Sequence, residues 1–160
     1  MDSHPFHHVA RDAAARAVTA VGLAGIALIH LLDSIGKYNE TRYLFWMYVA
    51  LMLGSLASAG AVLFTRLRTA WLAAAALAAS ALVGFVLSRT TGLPNATDDI
   101  GNWTEPLGLA SLFVEGAVVA VAAGAYALAG RTEPVLPAVD VRRPARPGDV
   151  EWRAAGAAAE

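Results

Sequence analysis

Cysteine is absent from all 160 residues. That removes disulfides, thiolate metal sites and cysteine nucleophiles together, and with them the usual clue to redox compartment. Charge is also scarce: 16% of residues are Asp, Glu, Lys or Arg, and the formal net charge is -1. The basic residues are scattered, so the chain has no electrostatic footprint for gripping a phosphate backbone, and nucleic acid is not expected as a partner. No nucleophile–base–orienter constellation and no cofactor motif occurs, which leaves an enzyme the least supported class. Metal or acid–base chemistry, if present, has to use His, Asp, Glu or water.

What the chain does have is apolar surface, with 57% hydrophobic residues and a mean hydropathy of +0.51. That exceeds what a soluble domain of this size carries, and it makes the lipid bilayer the first expected partner. Apolar stretches run over about 14–35, 44–64, 71–87 and 107–129. Each approaches the roughly 20 residues that cross about 30 Å of hydrocarbon as a helix. Strands are excluded, because a spanning barrel needs alternating segments of about ten residues, whereas these runs are continuous. The first stretch is too long for a signal-peptide core and is read as retained. The expected fold class is therefore all-α, a four-helix transmembrane bundle. The third stretch, WLAAAALAASALVGFVL, is rich in alanine, which contributes little transfer free energy, so it is expected inside the bundle rather than against lipid.

Arg11 and Arg16 precede the first span, Arg66 and Arg68 lie in the second connection, and Arg131 follows the fourth. The opposite side carries Lys37, Arg42 and Arg89 outweighed by Glu40, Asp98, Asp99 and Glu105. The positive-inside rule then puts both termini in the cytoplasm. This divides the chain into an N-terminal cytoplasmic segment, 1–13, a transmembrane domain, 14–129, with an outer loop at 88–106, and a proline-rich cytoplasmic tail, 130–160, expected to be disordered. Small residues recur at four-residue spacing, as in Gly116, Ala120 and Gly124, a spacing that lets helices approach closely or meet a partner.

Thr19, Gly22, Ile26, His30, Asp33 and Lys37 share one face of the first span, with polarity rising toward the outer side. His30 and Asp33 are one turn apart and can hydrogen bond, either as a structural contact or as part of a ligand, metal or proton site. Glu115 lies about eight residues into the fourth span, where a lone carboxylate has to be protonated, paired or hydrated, and where ionisable residues are functional candidates. Ser111 and Gly108 continue a polar, uncrowded stripe from Glu115 to the outer surface. Arg89 ends the third span with Asp33, Glu40, Glu105 and Glu115 as acidic candidates, so both an ion pair and anion recognition are open.

In the long loop, Asp98, Asp99 and Asn102 offer oxygen ligands for a hard cation, although their spacing matches no established cation loop. Thr104, Glu105 and Pro106 read as a helix start. Tyr38, Tyr43, Trp46 and Tyr48 read as an interfacial aromatic belt, or as the lining of a quinone or lipid slot. Haem is disfavoured on histidine count, because His30 stands alone in a span while His4, His7 and His8 lie on the opposite side; no other cofactor is indicated.

The stretches HLLDSIGKYNETRYLFWMYVALMLGS and SRTTGLPNATDDIGNWTEPLGLASLFVE resemble a group of small four-span membrane proteins of GC-rich Gram-positive bacteria. The resemblance implies a bacterial inner-membrane location and draws attention to His30, Asp33, Glu105 and Glu115. It transfers no activity. Two functions are expected: binding or conduction of a proton, cation or small polar ligand at a polar intramembrane site open to the outer face, or service as an accessory subunit or assembly factor with a membrane-protein partner or a second copy.

Overall fold

The computed structural model describes residues 4–130 of the chain. These form four helices, α1 (His4–Glu40), α2 (Arg42–Phe64), α3 (Arg68–Thr90) and α4 (Pro106–Ala129), with no strands among the described residues. All four are long and apolar enough to cross a membrane, and together they make a multi-pass membrane protein. The expected tail, 131–160, with Arg131, lies outside the described residues.

Helix α1 is longer than its apolar core. Its 37 residues extend about 55 Å at 1.5 Å per residue, and residues 4–13 are the first turns of the same helix. No glycine or proline interrupts residues 6–21, alanine recurs among them, and Arg16 Nε binds Asp12 Oδ2 one turn away at 2.8 Å. At the other end α1 runs to Glu40, and Thr41 alone, in an extended conformation (φ -145, ψ 90), turns the chain into α2.

The helices stand at the corners of a square. α1 packs along α2 and α4, α3 packs along α4 and α2, and α1 and α3 barely meet across the diagonal. The α1–α4 seam is tight because Gly22 has no side chain where the Val118 methyl lies. Leu23, Ile26, Val62, Trp71 and Val118, with several alanines, fill the core. The third span does not take an interior position: a four-membered square has none, and α3 buries one face (Ala70, Trp71, Ala74, Ala78 and Arg89) as its neighbours do. The Gly116–Gly124 stripe is no packing face among the described residues either, since a Cβ at either glycine would meet none of them within 4 Å.

One end of the bundle, with the short connection at 65–67, is closed by arginines on backbone carbonyls. Arg16 Nη1 donates to Val62 O at 2.6 Å and Thr65 O at 2.8 Å, and Arg68 Nε donates to Tyr126 O at 3.2 Å. The other end carries the Thr41 turn and the loop of residues 91–105. Gly92 (φ +75), Asn95 (φ 55) and Gly101 (φ +80) fold that loop through left-handed positions, and the Gly101 amide returns to Arg89 O at 2.9 Å. The loop is fastened across to α2 by Tyr43 Oη, which donates to Pro94 O at 2.8 Å, and by Thr41 Oγ1, which donates to Asn95 O at 3.4 Å.

Candidate functional site

Beneath this loop lies a cavity of about 500 Å³, and all six residues singled out as a ligand or proton site, His30, Asp33, Arg89, Glu105, Ser111 and Glu115, line it. The helical repeat explains the convergence. His30, Asp33 and Lys37 continue the inward face of α1 set by Leu23 and Ile26, while Gly108, Ser111 and Glu115 continue that of α4 set by Val118 and Ala122.

Glu115 forms the floor. It is 0% exposed and sits about 13 Å along α4 from Pro106. Ser111 Oγ donates to its Oε1 at 2.6 Å, and its Oε2 has no partner among the described residues. His30 does not bind Asp33. Its Nδ1 lies 2.9 Å from Ile26 O, and because a carbonyl only accepts, Nδ1 carries the ring proton. In the neutral ring Nε2 is then an acceptor, and it faces Glu115 Oε1 at 3.8 Å, too far for a hydrogen bond. The floor is thus rich in acceptors and poor in donors. A proton, a water molecule or a ligand N–H between His30 and Glu115 would satisfy it.

Arg89 governs the mouth. It is 6% exposed, with Nη2 donating to Glu105 Oε2 at 2.7 Å and Nη1 2.7 Å from Asp99 Oδ1 in an ion pair without hydrogen-bond alignment. Its guanidinium lies 4.9 Å from the Phe85 ring centre, and Gly108 leaves room for both side chains: a Cβ there would stand 2.6 Å from Phe85 Cε2. Glu105 is the residue before helix α4, and its side chain is given to Arg89 rather than to the helix start. Of the acidic candidates for Arg89, only Glu105 is used; Asp99 was not among them.

That pairing also decides the loop cation site. Asp99 is turned inward to Arg89, with Lys37 Nζ at 3.8 Å, while Asp98 and Asn102 are exposed and outside the cavity. No group of three or more histidine or acidic side chains placed to hold a metal occurs among the described residues. Of the three candidate oxygen ligands, Asp99 is thus engaged by an arginine. His7 is exposed, and the side chains of His4 and His8 lie outside the described residues.

Tyr48, Lys37 and Asp99 belong to the cavity although they were not singled out for it. Tyr48 stacks edge-on against His30, with ring centres 5.0 Å apart, and its hydroxyl is within reach of Asp33. The signal was the repeat of Leu44, Tyr48, Leu51, Ser55 and Val62 along one side of α2, which separates Tyr48 from the exposed belt of Tyr38, Tyr43 and Trp46. The chain matches no protein-family model, no curated protein and no solved structure.

Proposed function

We propose that this multi-pass membrane protein binds a proton, a cation or a small polar ligand at the Glu115–His30 floor, reached from the loop-bearing side of the membrane. The observation that carries the reading is Glu115, which lines a cavity of about 500 Å³ and whose Oε2 is buried without a hydrogen-bond partner among the described residues. Intramembrane carboxylates without partners are costly, and a site that keeps one empty-handed is suited to receive something. Binding is favoured over conduction, because below Glu115 the bundle is filled by Leu23, Ala74, Val118 and Ala122, none more than 1% exposed.

The orientation that goes with this reading puts the Arg11, Arg16, Arg66 and Arg68 end in the cytoplasm and the acidic loop outside. The resemblance of the two stretches to small four-span proteins of GC-rich Gram-positive bacteria implies a bacterial inner membrane. The accessory-subunit reading keeps one support, the Gly116 and Gly124 positions that no other described residue covers.

Infrared difference spectra of reconstituted protein, taken between acidic and alkaline buffer, test the main reading. They are expected to contain a carboxyl band that vanishes in Glu115→Gln. A spectrum identical in wild type and variant would mean that Glu115 exchanges nothing with the aqueous phase and is a structural group.

A further inference from the structure

The charges around the cavity do not balance. Four carboxylates, Asp33, Asp99, Glu105 and Glu115, line it against two permanent cations, Lys37 and Arg89. Both cations are already committed, Arg89 to Asp99 and Glu105, and Lys37 to Glu40 and Asp99. Asp33 makes no ion pair with another described residue, and Glu115 meets no permanent cation among them, only the Ser111 hydroxyl and the acceptor nitrogen of His30. An occupant that brings positive charge and N–H donors matches this site; an anion does not.

The walls ask for something else as well. Leu44, Met47, Leu51, Leu77 and Phe85 line the same cavity, an apolar surface with nothing to offer an inorganic ion. The occupant that fits both surfaces has a basic head and an apolar body.

The cavity also has a side opening. The α2–α3 seam is the loosest of the four between adjacent helices. It is shut at one level by Leu77, whose Cδ1 lies 2.6 Å from where a Gly54 Cβ would be, and at the loop level by the Tyr43–Pro94 and Thr41–Asn95 bonds. Between those closures Ala50 and Ser80 line the cavity and are also exposed, Met47 is 58% exposed, and a Cβ on Gly84 would meet nothing within 4 Å. Met47 and Leu51 lie about 8 and 14 Å along α2 from Arg42, a depth that faces acyl chains rather than water.

We infer that the site takes a membrane-dissolved amphiphilic amine, admitted sideways between α2 and α3 from the leaflet on the loop side, with its ammonium seated on Glu115 and its apolar body against Met47, Leu51, Leu77 and Phe85. This rests on the binding role proposed for Glu115 and adds the ligand class and the route. A two-chain aminolipid carries the same ammonium, but it brings a phosphate among the surplus carboxylates and a bulk beyond about 500 Å³, so the small amine is the assigned source.

The test uses full-length protein reconstituted in phosphatidylcholine and reads the Glu115 carboxyl band. In buffer acidic enough to show the protonated band, decylamine, bound as the ammonium, is expected to convert that band to carboxylate, with the displaced proton released to the buffer. Decanol, equal in chain but without the charge, should act about tenfold more weakly or less, the worth of one charge-assisted hydrogen bond. Ethylamine, which stays in water, should be similarly weak at equal aqueous concentration. Gly84→Phe, which fills the window from an uncrowded position, should weaken the decylamine response by about tenfold as well. An equal response to decanol would overturn the charge selection, and equal responses to ethylamine or in Gly84→Phe would overturn the lateral route. No response to decylamine, in protein whose band still titrates with buffer, would overturn the amine and leave the Glu115 site standing. A response to phosphatidylethanolamine in its place would assign the ammonium to a lipid headgroup and overturn the small-amine source.

Discussion

The two ends of this bundle use the same residue type for opposite purposes. At the short-connection end, Arg16 and Arg68 satisfy backbone carbonyls and lie over rings, Arg16 5.4 Å from the centre of Trp71 and Arg68 4.0 Å from that of Tyr126. Among the described residues no carboxylate is drawn into the bundle there; the partner of Arg16, Asp12, is exposed. At the loop end, Arg89 is spent on two carboxylates from the loop, and the space beneath it stays open. A guanidinium that caps helix carbonyls completes a dry core, whereas one that ties a loop to a helix end roofs a cavity without filling it. Stability is concentrated in one half and the capacity to bind in the other.

The largest expected effect breaks the dry half. Trp71 is 4% exposed and packs against the apolar cluster and Arg16. Trp71→Ala should cost about 3 kcal/mol in detergent or bicelle unfolding, by loss of packing and the hole left behind. The Glu115 carboxyl band should stay where it is. A band that moves with Trp71→Ala would mean that the two halves are coupled and that the division between them is false.

Next comes the roof. Arg89→Ala leaves Glu105 unpaired and Asp99 with Lys37 alone, but these carboxylates are 37% and 38% exposed, so water compensates for part of the loss. The expected cost is about 1–2 kcal/mol, felt locally as roughly tenfold faster hydrogen exchange over residues 91–105 and little change at the other end. Arg89→Lys should recover only part of it, because an ammonium cannot serve both carboxylates with the same fork. Unchanged exchange would show that the loop is held by its own turns at Gly92, Asn95 and Gly101 rather than by the arginine.

The sequence made the dry half easier to read than the wet one. The four spans follow from continuous apolar runs, and Glu115 and His30 stand out because ionisable groups in such runs are rare. Helix ends were less legible: α1 continues to His4 and Glu40 because alanine content and local ion pairs carry a helix past the point where hydropathy falls. The partners of Arg89 depend on where the left-handed residues of the loop deliver Asp99, a consequence of backbone geometry that spacing does not reveal. The side window is set by the contact of Leu77 with Gly54, a distance between two helices and not a pattern within either.

The smallest effect discriminates most finely. Ser111 Oγ gives Glu115 its one hydrogen bond from the described residues, and Thr65 Oγ1 makes a comparable 2.7 Å bond to Ala61 O at the far end. Ser111→Ala and Thr65→Val should each cost about 0.6–1 kcal/mol, the usual worth of a side-chain hydrogen bond in a membrane helix bundle. Their spectra should differ. Ser111→Ala removes the donor from the carboxyl itself and is expected to shift its band toward that of a free acid, while Thr65→Val leaves it untouched. If Ser111→Ala also leaves the band in place, something other than the protein already donates to Glu115, and the occupant of the floor becomes the group to identify.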